Sequence, residues 1–281
     1  MKPKLRSDPA LAPPACHSTT LLGLPAALLA SLGFNEHPLP LAIAGTREAN
    51  HGLFARLEGM DSHAAAAACF EDYMDVLFGF EPEQRRGVDA DGRRRFRSSY
   101  LRLLKGWGFD ANGREAAVLK GWVESRFGLM PSFHKTRMAP SMPSSSRAWI
   151  AYVEDKMSSR FHNNSINMQL DLLYEFCQWT LARFHARGRP HLRLYRGTND
   201  FAEHPVVERI DKRHAVIRLN NLVSFSADRD IACDFGDYIL EVEVPCVKVL
   251  FFNDMLPRHA LHGEAEYLVV GGDYRVVVST L

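Results

Sequence analysis

The chain has little that would tie it to a membrane, a metal or an oxidising compartment. Only five of its 281 residues are cysteine, Cys16, Cys69, Cys177, Cys233 and Cys246. They are odd in number, scattered, and nowhere spaced as a CxxC pair, which argues against a disulfide scaffold or a zinc site and for a reducing cytoplasm. No apolar run approaches the ~20 residues that a membrane span needs. Net charge is nearly absent too: 34 basic side chains against 33 acidic ones leave +1. No whole-molecule field therefore draws nucleic acid or a membrane surface, and any electrostatic recognition is local. The sequence also lacks a glycine-rich phosphate loop, a metalloprotease histidine pair, an internal repeat and a low-complexity tract.

What is present suits a globular molecule. Hydrophobic residues make up 46%, enough to bury a substantial core at this length. Leu21 to Leu32 is the apolar stretch near the N-terminus, and with Lys2, Lys4 and Arg6 ahead of it a signal peptide has to be weighed. Gly23 and Pro25 break the run, and Asp8, Pro9, Pro13 and Pro14 precede it, so a short core helix starting near Pro25 is the expectation.

Between Arg47 and Arg187 apolar residues recur at helical spacing, as in Leu53, Phe54 and Leu57, or Cys69, Phe70, Tyr73, Met74, Leu77 and Phe78. Similar patterns over Phe96 to Trp107, Glu115 to Phe127, Ala148 to Met157 and Ile166 to His185 predict further helices. Gly87 to Gly92 and Met130 to Ser146 interrupt them, and the second, with three prolines and five serines, reads as an exposed loop. After Gly188 and Pro190 the pattern changes to short β-rich runs: Leu192 to Arg196, Ala215 to Leu219, Leu222 to Phe225, Tyr238 to Val244, Val247 to Phe252, Glu266 to Val270 and Tyr274 to Ser279. Gly271, Gly272 and Asp273 carry a hairpin signal. The fold class expected is α+β: a helical region over residues 1–187 packed on a mainly antiparallel β core over 188–281, the two forming one continuous domain.

Three short constellations follow one another in the β-rich part: Leu194-Tyr195-Arg196-Gly197-Thr198, Val223-Ser224-Phe225-Ser226, and Gly263-Glu264-Ala265-Glu266-Tyr267. Each alone is weak. In this order and spacing they resemble the Arg, Ser-x-Ser, Glu-x-Glu signature of arginine-specific mono-ADP-ribosyltransferases. LYRGTND, SFSADRDIACDFGDYILEVEVP and HGEAEYLVVGGDYRV, after a long helical preamble, resemble more closely the dinitrogenase reductase ADP-ribosyltransferase family of nitrogen-fixing bacteria. Phe225 stands where the signature usually has threonine.

The resemblance implies NAD as co-substrate, no metal, and ADP-ribose transfer to an arginine of dinitrogenase reductase, the nitrogenase iron protein, with a PII-type signal protein as regulator. It implies neither a nucleic-acid partner nor a membrane span. Side chains two apart on a strand share a face, so Glu264 and Glu266 would set two carboxylates side by side. Splitting NAD at the nicotinamide–ribose bond passes through an oxocarbenium-like sugar that a fixed carboxylate stabilises, the part given to Glu266. Glu264 is placed to orient the acceptor guanidinium, which stays protonated in water, and to take its proton. Arg196 offers a planar fork to phosphate oxygens, Gly197 would let the backbone approach the ligand, and Thr198 joins them as a dinucleotide contact. Ser224 is expected to bond the ribose or brace the glutamates, Ser226 to support the turn beside the cofactor, and Phe225 to point into the core.

Other readings stay open at this stage: transfer to a different target or NAD glycohydrolysis, and a non-catalytic NAD-binding or protein-binding module. Arg85, Arg86, Arg93, Arg94, Arg95, Arg97 and Arg102 form a dense basic cluster that suits a solvated face first, then an acidic protein partner, then nucleic acid. His262 is the histidine nearest the proposed site, as a loop-shaping residue or an acceptor contact. Tyr174, Phe176, Trp179 and Phe184 read as helix packing rather than a cofactor box.

Overall fold

The computed structural model describes residues 14–17, 20–80, 99–138, 145–158, 164–199, 201, 204–258 and 266–280. It is α+β. The first helices are short, α1 (Ala26–Ala30), α2 (Leu32–Glu36), α3 (Thr46–Ala49) and α4 (His51–Glu58), followed by the longer α5 (His63–Phe78), α6 (Tyr100–Phe109) and α7 (Arg114–Phe127). A two-stranded ribbon, β1 (Phe133–His134) and β2 (Thr136–Arg137), leads to α8 (Arg147–Lys156) and α9 (Asn164–Thr180), which ends in a π-turn over Leu181–His185. The β-rich part contains β3 (His191–Thr198), β4 (Val206–Arg209), β5 (His214–Ser226), α10 (Arg229–Cys233), β6 (Tyr238–Pro245), β7 (Val249–Phe252) and β8 (Glu266–Thr280).

Six strands pair antiparallel in the order β4-β5-β3-β6-β8-β7, and β5 also pairs with β8, so β5, β3, β6 and β8 close a circuit. One contiguous cluster of buried side chains runs from Leu22 on the N-terminal side to Val278 on β8. At its centre lies α9, where Leu170, Leu172, Leu173, Tyr174, Phe176 and Cys177 are all buried, as befits a helix covered on every side. Tyr174 donates its hydroxyl to the Val247 carbonyl at 2.8 Å, and Gln178 Nε2 donates to that of Val249 at 2.8 Å. The helical layer is thereby tied to the turn before β7 and to the strand itself. The stretch from Leu21 forms α1 beginning after Pro25, with Ala26, Leu29 and Ala30 buried.

Three expectations need correction. Gly271-Gly272-Asp273 does not turn a hairpin, because β8 runs unbroken through it. Opposite this point β5 carries a bulge between Leu219 and Leu222, and two residues facing one bend the ladder without reversing it. A Cβ at Gly271 would fall 1.6 Å from the Asn220 carbonyl oxygen, and Gly272 has φ +129. These glycines serve close approach and a rare backbone angle. The two expected strands Ala215 to Leu219 and Leu222 to Phe225 are likewise one, β5. Finally, Met130 to Ser146 is not wholly exposed: His134 and Met138 are buried, because the β1–β2 ribbon packs inward on α7 and α8. Gly87 to Gly92 and six of the seven basic-cluster arginines, all but Arg102, lie outside the described residues.

The bulge also joins the two layers. Asn221 Nδ2 donates to the carbonyls of Lys120 on α7 and of Leu129, both at 2.9 Å. Asn220 Oδ1 accepts from the Ser132 backbone N–H at 2.9 Å. Buried amides bonded from the sheet to the helical layer hold one alignment of helix against sheet.

Candidate active site

The site grows where β3, β5 and the start of β8 meet. Tyr195 on β3 faces Ser226 on β5, and Ser226 faces Glu266, the first residue of β8. Ser224 pairs with Leu268, which makes Ser224 and Glu266 diagonal neighbours on one face of the ladder, within side-chain reach. Ser224 Oγ donates to Glu266 Oε1 at 2.6 Å, a length typical of a hydroxyl bonded to a carboxylate. Phe225, between the two serines, is buried, as strand alternation requires.

Arg196 comes in from β3. Its Nη1 donates to the Ser224 carbonyl at 2.8 Å, and its Nε donates to His204 Nε2 at 3.1 Å. Because Nε2 accepts, the proton of a neutral imidazole sits on Nδ1. His204 is fully enclosed. From the helical layer, Trp107 near the end of α6 donates its indole N–H to Ser224 Oγ at 2.7 Å. Burial pushes the Glu266 carboxyl above the usual range, while the donor groups of Ser224 and Trp107 and the charge of Arg196 pull it back down.

These groups line a cleft of about 900 Å³, roomy enough for a dinucleotide. Arg196, Gly197, Thr198, Ser224, Ser226 and Glu266 all border it, as do Trp107, His204 and two aromatics, Phe109 and Phe235. Those two are 82% and 68% exposed, which places them at its mouth. Ser226 Oγ accepts from the Asp228 backbone N–H at 3.0 Å and so supports the turn into α10. Gly197 borders the cleft and meets a packing demand as well: a Cβ there would lie 2.0 Å from the Ala232 carbonyl oxygen of α10. His262, Gly263, Glu264 and Ala265 lie outside the described residues. No group of three or more potential metal ligands occurs among the described residues.

Sequence reasoning missed Trp107 and His204. Trp107 falls at helical spacing with Tyr100, Leu103 and Leu104, which are buried as it is, and its spacing signals core only. His204 follows β3 in a loop without a motif. In both cases the signal is the partner across the fold, Ser224 or Arg196, and that is not written locally.

Comparison with known proteins gives two findings. The sequence model of the dinitrogenase reductase ADP-ribosyltransferase family matches residues 19–278. The chain is also 57% identical over 267 residues to the NAD(+)–dinitrogen-reductase ADP-D-ribosyltransferase of Rhodospirillum rubrum, spanning 94% of this chain and 96% of that protein. No solved structure gives a significant match.

Proposed function

The chain belongs to the dinitrogenase reductase ADP-ribosyltransferase family, and from that premise we propose that the Arg196–Ser224–Glu266 cleft is where it carries out the family's reaction. It is an NAD-dependent transferase that moves ADP-ribose onto dinitrogenase reductase, inactivating it and so regulating nitrogen fixation. The acceptor is an arginine. One observation carries the assignment of the site: three residues from three different strands, spread over 70 positions of the chain, converge on one cleft with the carboxylate already braced by the serine.

In this reading NAD lies along β3 with its pyrophosphate towards the Arg196 fork. Glu266 faces the ribose that loses nicotinamide, stabilising the positive charge that develops on the sugar as the bond lengthens. Ser224 holds the carboxylate in register, so little reorganisation is needed at the moment of reaction. Glu264, two residues earlier in the Glu-x-Glu motif, receives the acceptor guanidinium, turns a nitrogen to the anomeric carbon and takes the proton as the new bond forms. Nicotinamide leaves with the bonding pair. The enzyme works in the cytoplasm without a metal of its own, under a PII-type signal protein.

Incubation with labelled NAD and purified dinitrogenase reductase tests the reading, with the modified residue mapped by mass spectrometry. Label on an arginine of that protein is expected. Free ADP-ribose alone would mark a glycohydrolase, and no turnover a binding module. Glu264→Gln is expected to lose protein labelling while keeping some NAD hydrolysis, and full transfer by that variant contradicts its role.

A further inference from the structure

Of the two residues that neither the motif nor the family resemblance brings into the site, Trp107 is the one that reaches Ser224. An indole has one N–H and no acceptor. With that N–H spent on Ser224 Oγ at 2.7 Å, the serine oxygen is forced to accept, and its own proton is turned to Glu266 Oε1 at 2.6 Å. Donor order is therefore fixed from the helix inwards: indole to hydroxyl to carboxylate. A serine alone could rotate its proton elsewhere; a serine fed by a donor-only group cannot do so without losing a bond.

Trp107 is itself held. It is 4% exposed, and the buried Lys120 of α7 sets its ammonium 5.9 Å from the centre of the indole ring. Lys120 in turn donates to the Phe133 carbonyl at 3.0 Å, and its own backbone carbonyl accepts from Asn221 at the β5 bulge. The α6–α7 pair can close on this geometry because Gly106 leaves room for Glu115: a Cβ there would sit 2.4 Å from that side chain. The groups that bear on the carboxylate are thus Ser224 on β5, Arg196 on β3 with His204 behind it, and Trp107 on α6 backed by Lys120.

We propose that Trp107 is a positioning residue for the transfer reaction, using its indole N–H to lock the Ser224 hydroxyl onto Glu266 and so to keep that carboxylate aimed at the ribose. The inference rests on the assignment of NAD cleavage to this cleft. It makes the helical region part of the catalytic geometry, because the register of α6 against β5 sets where the carboxylate points.

The test compares wild type, Trp107→Phe, Ser224→Ala and the double variant in NAD cleavage and transfer. Trp107→Phe keeps an aromatic ring beside Lys120 and removes the N–H, along with part of the indole's buried volume. Expected is a loss of about fivefold in kcat, the scale of one hydrogen bond between neutral groups, with KM for NAD little changed. The acid limb of the pH profile is expected to move upward, since a group that favours the ionised carboxylate is gone. The double variant is expected to lose less than the product of the two single losses, because both act on one carboxylate. Wild-type kcat and pH profile in Trp107→Phe, or strictly multiplicative losses, overturns the inference while leaving the functional reading intact. A wild-type chain that does not consume NAD overturns both.

A measurement on the unaltered enzyme guards against a variant that fails to fold. Of the four tryptophan indole N–H resonances in the chain, one is expected to shift with the titration of Glu266 and to stop shifting in Glu266→Gln. If none does, Trp107 is not coupled to the carboxylate and the inference falls.

Discussion

The ladder between β5 and β8 carries two clusters of polar side chains, one on each side of the bulge, and they are built to opposite ends. On one side Arg218 and Asp273 face each other in register and meet fork to fork, Nε to Oδ1 at 2.7 Å and Nη2 to Oδ2 at 2.8 Å. On the other, Ser224 braces Glu266 through one oxygen, while Arg196 is held by a carbonyl and an imidazole. The first pair spends both carboxylate oxygens on a single guanidinium. The second leaves its carboxylate at the edge of a 900 Å³ cleft, its charge partly offset by several donors rather than cancelled by one cation. Two acid–base groupings on the same strands thus differ by what their hydrogen bonds close against, another side chain in one case and a cavity in the other.

That contrast can be broken by mutation. Asp273→Asn should have the largest effect on the fold, about 3–5 kcal/mol of stability, because it strands a largely buried guanidinium. Activity per folded molecule should be kept, as read from a denaturation curve beside kcat on the soluble fraction. Glu266→Gln should do the reverse, lowering kcat for NAD cleavage by about 10²–10³-fold, the scale of losing one preorganised charge stabiliser. Its effect on stability follows from the direction of the Glu266 shift. A carboxyl raised in the fold keeps a proton that the unfolded chain has lost, so stability falls as pH rises from the ordinary glutamate value of ~4.3 to the raised one. The Glu266→Gln change removes that penalty, and the variant should melt no lower than wild type at neutral pH, any gain disappearing at acid pH. The same direction sets activity, whose acid limb should lie above the ordinary glutamate range.

Arg196→Lys keeps the charge but loses the fork, and kcat/KM for NAD should fall by about 10–100-fold, as for loss of a hydrogen bond to a charged group. Steady-state kinetics with NAD varied will show it. The smallest effect should come from Ser226→Ala. Its hydroxyl already serves the turn into α10, so about 1 kcal/mol of stability should be lost, with KM for NAD changing less than in Arg196→Lys.

How much of this could be read in advance depended on distance along the chain. The helices from α4 to α9 were legible because the 3.6-residue period is local, and Leu53, Phe54 and Leu57 or Phe70 and Met74 write it out within a few turns. Strands β3, β5, β6, β7 and β8 were legible because their apolar runs are local too, apart from the joins within β5 and β8, whereas β4 (Val206–Arg209) and the short β1–β2 ribbon were not read in advance. In β8 the adjacent glycines are those that a hairpin would use, and only the Asn220 carbonyl, 51 residues away in sequence, shows that they make room for a neighbour instead. At Gly197 the packing demand was hidden in the same way, since what fills its missing side-chain space is the backbone of α10.

The sequence by itself determined the element types, the α+β class and the order of Arg196, Ser224 and Glu266, because period, propensity and motif spacing are properties of neighbouring residues. The tertiary structure decided that these three share a cleft, that Arg196 is held by His204, and that a tryptophan from a helix more than a hundred residues upstream reaches Ser224. Hydrogen bonds that cross from one layer to another depend on register and on the packing of α6 and α7 against β5, and no local pattern encodes an alignment between distant segments.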